Sequence, residues 1–233
     1  GRPSTMPTET AARCPVSGVP VLIPVNRLSK AKGRLAGLLT PGERKTLALI
    51  TLESVLHAAG PGAIVLTPDR EVAARVRGRA RVLDEDPQKQ GLNAQLEAAV
   101  AALVADGTAR EVLLVLHADL PLASAEALET LVEEGAANTA VLVESLDGGT
   151  NAMLLRPPGR FPLSYGPGSF ALHRDAAKAA GMAVVMNTNR ELRLDLDTPN
   201  DLRELLRAPR GRQGAAGVYL LSIGIEARLE PLA

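Results

Sequence analysis

Short apolar runs alternate with helix-length segments along this chain, and that alternation restricts it to an α/β fold. VPVLIPV (19–25), AIVLT (63–67), VLLVL (112–116) and TAVLVE (139–144) are rich in Val, Ile and Leu. Such runs suit strands buried on both faces better than strands with one wet face. The clearest helix start lies at Thr40-Pro41: Thr40 can cap, Pro41 takes the first helical position, and Glu43 completes a capping box. This helix is expected to end near residue 59, before Gly60-Pro61-Gly62. A short helix is expected after Asp69, and longer ones over 94–105, 125–134 and 170–180. Strands alternating with helices predict a mainly parallel mixed sheet covered by helices on both faces. In such sheets ligands gather at the carboxyl ends of the strands.

The expected organisation is a flexible N-terminal segment (1–18), one domain (19–206), and a linker with a C-terminal tail of unknown role (207–233). After Ser145, Gly148, Gly149, Pro157, Pro158, Gly159 and Gly166 interrupt the apolar pieces, which reads as a loop-rich second half covering the site. LRLDLD (192–197) reads as the last strand, and Thr198-Pro199-Asn200-Asp201 opens a final helix. APRGRQGAAG has the texture of a linker, and the tail beyond it fits an edge strand, a dimer contact or a loosely ordered end. Lys plus Arg equals Asp plus Glu at 26 each, so no net field draws the chain to nucleic acid or an anionic membrane. Cys14 is the single cysteine, which excludes an internal disulfide framework or a Cys-rich zinc site. With no apolar run of membrane-spanning length and no secretory h-region, the expected location is cytoplasmic.

Three acids stand out at strand ends. Asp119 follows VLLVL with only His117 and Ala118 between, and LDLD alternates so that Asp195 and Asp197 share a face. Like charges on one face repel unless a cation sits between them, and Mg2+ is the economical one where phosphates bind. A turn role for Asp119 before Pro121 and a capping role for Asp197 account for each acid singly. They do not readily account for the set of three.

Arg27, Lys30, Lys32 and Arg34 follow the first strand, where a parallel sheet places its nucleotide. There they could neutralise a triphosphate and the charge on departing pyrophosphate. Lys32 and Arg34, with Asp119, are the candidate catalytic groups. GLLTPGERK has P-loop glycine spacing but carries Glu43 where the lysine must stand, and no G-x-G-x-x-G follows the first strand. The absence of G-x-S-x-G leaves acyl-transfer hydrolysis unsupported. GPGSFALH is a second candidate anion site, where Ser169 can cap the helix over 170–180 and free backbone N–H groups are expected to favour a phosphate or carboxylate. DGGTNA places Thr150 and Asn151 in a flexible Gly-rich turn suited to a small polar acceptor. His57 and His173 fall in helices and read as structural, while His117 neighbours Asp119.

IPVNRLSKAKGRLAGLLTPGER, LTPD, GLN, HADLPL, GGTNAMLLRP, YGPGSFALH and LDLDTPNDL occur in one order over about residues 19–205. In that combination the chain resembles the CofC/FbiD guanylyltransferases of deazaflavin coenzyme F-420 biosynthesis, which use phosphoenolpyruvate or 2-phospho-L-lactate. The resemblance implies a nucleotide-diphospho-sugar-transferase-like, Rossmann-like fold. It also implies transfer of GMP from GTP to a small phosphorylated carboxylic acid, with phosphoenolpyruvate ahead of 2-phospho-L-lactate. It carries substrate contacts onto Thr150, Gly166 and Ser169, metal ligation onto Asp119, Asp195 and Asp197, and guanosine contacts onto Asp69 and Asn93. Asn26 departs from the pattern, since members commonly carry lysine there. Acceptance of 3-phosphoglycerate, or use of another nucleoside triphosphate, is the alternative. The remaining expectations are a homodimeric state and hand-off of a labile product to a downstream transferase.

Overall fold

The computed structural model describes Val16 and residues 18–230. Cys14 and most of the segment expected to be flexible lie outside those residues. The seven strands are β1 (Val21–Pro24), β2 (Ala63–Leu66), β3 (Arg81–Leu83), β4 (Leu113–Leu116), β5 (Thr139–Glu144), β6 (Thr150–Arg156) and β7 (Ala183–Asn187). They form one sheet in the order β3-β2-β1-β4-β6-β5-β7, in which β6 alone runs against its neighbours.

Strand residues divide by parity between two cores. Val21, Ile23, Leu114 and Leu116 pack with helices α1 (Pro41–Ala59) and α4 (Ala125–Glu133). Leu22, Leu113 and Val115 pack on the opposite face with α3 (Gly91–Ala105) and α5 (Ser169–Ala179). The short helix α2 (Arg70–Val76) joins the first of these cores. The α1 start is as the sequence predicts: Thr40 Oγ1 accepts from the Glu43 N–H at 3.2 Å, and Glu43 Oε2 accepts from the Thr40 N–H at 2.8 Å. A cap of this kind stabilises a helix by about 1 kcal/mol.

Three expectations need correction. The half after Ser145 is not loop-rich cover. Ser145 donates its N–H to Gly149 O at 2.9 Å, closing a tight connection into β6, a buried strand at the middle of the sheet. Thr150 and Asn151 open that strand, each 2% exposed, instead of lying in a flexible turn.

LRLDLD is not a ladder strand. Helix α6 (Arg190–Arg193) covers its first residues, and 194–197 run extended beside the loop after β4, tied by the Leu196 N–H to Asp119 O at 3.1 Å. Its alternation still sorts side chains, because Leu194 and Leu196 are buried against Leu202 and Leu205 of α7 (Pro199–Arg207).

The supposed linker and tail fold as α8 (Pro209–Gln213), α9 (Ala215–Ser222) and α10 (Ile225–Leu229). Leu220, Ile225 and Leu229 pack with Leu35, Leu39 and Leu47 in a third core. The glycines that suggested a linker are close-packing positions: a Cβ on Gly211 would lie 1.9 Å from Leu205 O, and one on Gly217 1.9 Å from Gly211 O. The Arg228 guanidinium grips Glu43 with two contacts of 2.9 Å, which pins the end of the chain to the start of α1.

Candidate active site

Asp119 sits just beyond β4, at the carboxyl edge of the central sheet. Facing it is Lys32, between two tight turns (Leu28–Lys30 and Gly33–Leu35) and itself left-handed at φ 56°. That conformation costs a non-glycine residue about 1–2 kcal/mol. It carries the side chain inward, where Nζ is 5% exposed with its stem and lies 3.0 Å from Asp119 Oδ2. The other carboxylate oxygen, Oδ1, is buried without a partner among the described residues. Burial pushes the Asp119 carboxyl up, but the Lys32 ammonium and His117 outweigh it and hold the group below its ordinary value.

Asp195 behaves in the opposite way. Burial first, and then the charge of Asp119, raise it to about 7, although the Asn151 amide donates to Oδ1 at 3.2 Å. Asp197 completes the trio but pairs with Arg34 at 3.0 Å. Among the described residues no three His, Cys, Asp or Glu side chains converge as they stand to hold a metal. Gathering the three carboxylates around a cation therefore requires Lys32 and Arg34 to yield Asp119 and Asp197. The donor set nevertheless fits Mg2+: hard oxygens only, one orphaned buried oxygen, and an acid whose ionisation is disfavoured first by burial and then by the charge of Asp119.

A cleft of about 550 Å³ opens beside this centre, and Lys30, Lys32, Asp119 and Asp197 line it. So do Glu85 and Lys89 from the loop after β3, which the sequence reading missed. The usable signal was DEDPQKQ at a strand's carboxyl end, but a three-residue strand left no apolar run to mark it. Arg27 and Asp69 instead border a second hollow of about 410 Å³ with Arg44 and Lys45. The Asp69 carboxylate is occupied: it accepts from the Leu28 N–H at 2.8 Å and from the first N–H groups of α2, so it clamps the basic loop. Asn93 is also engaged, accepting from the Tyr165 N–H at 2.7 Å and donating to its carbonyl at 3.0 Å. Both residues shape the site's walls through the backbone.

On the other side of β4 lies a buried polar cluster. Thr150 Oγ1 is 3.1 Å from Ser169 Oγ and 2.9 Å from His173 Nδ1. His173, read from sequence as structural, thus touches a predicted substrate residue. Burial, with the adjacent His117, depresses it to about 4. The Tyr165 ring lies between the two imidazoles, at centroid distances of 5.2 and 4.7 Å. Gly166 (φ 138°) and Gly168 (φ 69°) make the turn that brings Ser169 to the first position of α5, so Gly168 and not, as expected, Ser169 is the N-cap. The N–H groups expected to be free there are partly used: Ser169 N–H reaches Gly166 O at 3.1 Å and Phe170 N–H reaches Gly148 O at 3.2 Å. Asn151 bridges this cluster to the acidic centre, donating also to Leu192 O at 3.1 Å.

The family model described as "Guanylyl transferase CofC like" matches residues 19–231. The chain belongs to that family. The match includes the C-terminal helices, in agreement with their packing. A phosphoenolpyruvate guanylyltransferase of Rubrobacter xylanophilus is 38% identical, over 79% of this chain and 91% of its own. One of Sphaerobacter thermophilus is 37% identical, over 79% and 90%. Relatives named for 3-phospho-D-glycerate and 2-phospho-L-lactate are 34% and 33% identical. A Desulfovibrio desulfuricans protein assigned as a nucleotide-diphospho-sugar transferase superposes with a TM-score of 0.70, at 17% identity over 92% of this chain and 98% of that one. The CofC-like chain is therefore a nucleotidyltransferase of guanylyl-transferring type on a nucleotide-diphospho-sugar-transferase-like fold. No helix among its described residues is long and apolar enough to cross a membrane.

Proposed function

We propose that the enzyme transfers GMP from GTP to phosphoenolpyruvate, giving a guanosine-diphosphate-linked acid and pyrophosphate. The observation that carries this reading is the position of Asp119 and Lys32, between a cleft lined by lysines and the Thr150–Ser169 cluster. A phosphate oxygen of the acceptor, already ionised near neutral pH, attacks the α-phosphorus of GTP. A new P–O bond forms, the bond to the β-phosphate oxygen breaks, and pyrophosphate leaves with that electron pair. No covalent intermediate and no strong base are needed.

Asp119, with Asp195 and Asp197, would hold Mg2+, which when bound supplies charge neutralisation at the reacting phosphoryl group. Lys30 and Lys32 neutralise the triphosphate, and Arg34 steadies the leaving group. Thr150, Ser169 and the Gly166 turn orient the acceptor, bringing its nucleophilic oxygen into line.

The test is direct. Purified protein is incubated with GTP, Mg2+ and, separately, phosphoenolpyruvate, 2-phospho-L-lactate and 3-phosphoglycerate, and pyrophosphate is measured. Phosphoenolpyruvate is expected to turn over fastest. Preference for another acid overturns the acceptor, and no turnover with any acid overturns the reaction.

A further inference from the structure

We infer that His173 is a positioning residue that sets the direction of a hydrogen-bond chain ending at the Ser169 hydroxyl, so that this hydroxyl offers its proton to an anionic oxygen of the acceptor. The inference rests on the reading above that places the acceptor beside Thr150 and Ser169.

The chain starts at a backbone group whose polarity is fixed. The Ser164 N–H donates to His173 Nε2 at 2.9 Å. An N–H cannot donate to a nitrogen that carries its own proton, so Nε2 is bare and the single imidazole proton sits on Nδ1. Nδ1 lies 2.9 Å from Thr150 Oγ1, and in this tautomer it must be the donor. Thr150 Oγ1 keeps a second lone pair, so either hydroxyl could donate across its 3.1 Å contact with Ser169 Oγ; we assign the donor role to Thr150, for whose proton no other acceptor is recorded among the described residues. Ser169 then accepts from Thr150, and its own proton has no acceptor recorded among the described residues. The first two directions follow from the Ser164 N–H, the third is assigned, and the arrow then runs from Ser164 through His173 and Thr150 to Ser169.

The surroundings favour keeping that order. His173 is fully buried, which keeps water from its ring nitrogens and leaves the tautomer to the Ser164 N–H. The Tyr165 ring packs edge-on against the imidazole at 4.7 Å and opposes rotation about its χ2. Protonating the ring would set two donors against each other at Nε2, in keeping with the depressed basicity of this group. Ser169 opens α5 beside the left-handed Gly168, so the hydroxyl proton and the positive end of the helix dipole act on the same anion.

Two substitutions separate this role from a merely structural one. In His173→Asn the amide can replace Nδ1–H as donor to Thr150 but is too short to accept from Ser164. In His173→Gln the carbonyl can replace Nε2 as acceptor for Ser164. His173→Phe removes both contacts and is expected to raise the acceptor KM about tenfold, with a much smaller change in the GTP KM. His173→Asn is expected to recover most of that loss and His173→Gln little of it. Recovery by Gln alone would mean that the imidazole only holds the 163–166 segment, and would overturn the inference. Two-bond 1H–15N spectra of the wild-type protein test the first step without any variant. A protonated Nδ1 and bare Nε2 are expected, and the reverse tautomer sinks the proposal while leaving guanylyl transfer untouched. Ser169→Ala covers the reading beneath it. An unchanged acceptor KM in that variant places the acid elsewhere, whatever the tautomer.

Discussion

Substitution of Asp119 separates the chemistry of the acidic centre from its part in holding the fold. Its partner Lys32 is 5% exposed at the side chain, so in Asp119→Ala an ammonium is left buried without a counter-charge. Stripping one partner from such a pair costs about 3–5 kcal/mol. At roughly 2–4 °C per kcal/mol for a chain of this size, Tm should fall by roughly 6–20 °C. Asp119→Asn keeps an oxygen where Oδ2 now accepts from Lys32, so its loss is limited to about 1–2 kcal/mol. Part of that is recovered, because a neutral residue no longer repels Asp195. Turnover should nevertheless drop in both variants by at least about a hundredfold, since an amide is a poor ligand for a hard cation. Differential scanning calorimetry and pyrophosphate release measure the two effects independently. Near-normal turnover in Asp119→Asn refutes the metal role, and a wild-type Tm in Asp119→Ala refutes the buried ion pair.

Three further outcomes follow from the same geometry. The Arg228 guanidinium, with the Thr40 N–H, holds Glu43 at about 2 against an ordinary 4.5, so the unfolded chain binds more protons between those values. This contribution is complete above about pH 4.5 and is lost as pH falls towards 2; screening limits it to about 1–2 kcal/mol. Acid titration of Arg228→Ala should therefore show a flatter loss of stability over that range. Leu220→Ala removes a fully buried side chain from the third core and should cost about 2–4 kcal/mol in urea unfolding, whereas a dispensable tail would leave the midpoint unchanged. Chelation by EDTA should abolish pyrophosphate release and added Mg2+ restore it; turnover that survives chelation removes the cofactor from the mechanism.

The legible parts of the fold were those whose local chemistry and tertiary surroundings agree. VPVLIPV, AIVLT, VLLVL and TAVLVE are apolar because both faces of the sheet are covered, and Thr40, Asp69 and Thr198 cap the helices that follow them. Strand β6 was hidden because it opens with Thr150 and Asn151, polar residues paired by His173, Ser169 and Asp195, partners remote in sequence. The three-residue β3 carries too little apolar pattern to be read, whereas the edge strand β7, AVVMN, was missed although its apolar run matches AIVL in length. In the tail, glycine signals flexibility and close packing alike, and only Leu205 O beside Gly211 decides between them. At the site, strand-end acids and the basic loop were visible from spacing alone. The engagement of Asp69 with Leu28 and of Asn93 with Tyr165 depends on backbone groups 41 and 72 residues away, which no local pattern encodes.

The single reversed strand has a consequence for how such an enzyme diversifies. Because β6 runs against β4, its first residues meet the last residues of β4 at one edge, and Asn151 arrives within 3.2 Å of Asp195. In the proposed reaction the groups facing the small acid would come from the start of β6 and the start of α5, while the loops after β1 and β3 would face the nucleotide. The two inventories meet along the rim of β4 and at the Asn93–Tyr165 contact. Mutations that reshape one half can therefore be sampled without dismantling the other, and a change of acid need not cost the chain its nucleotide.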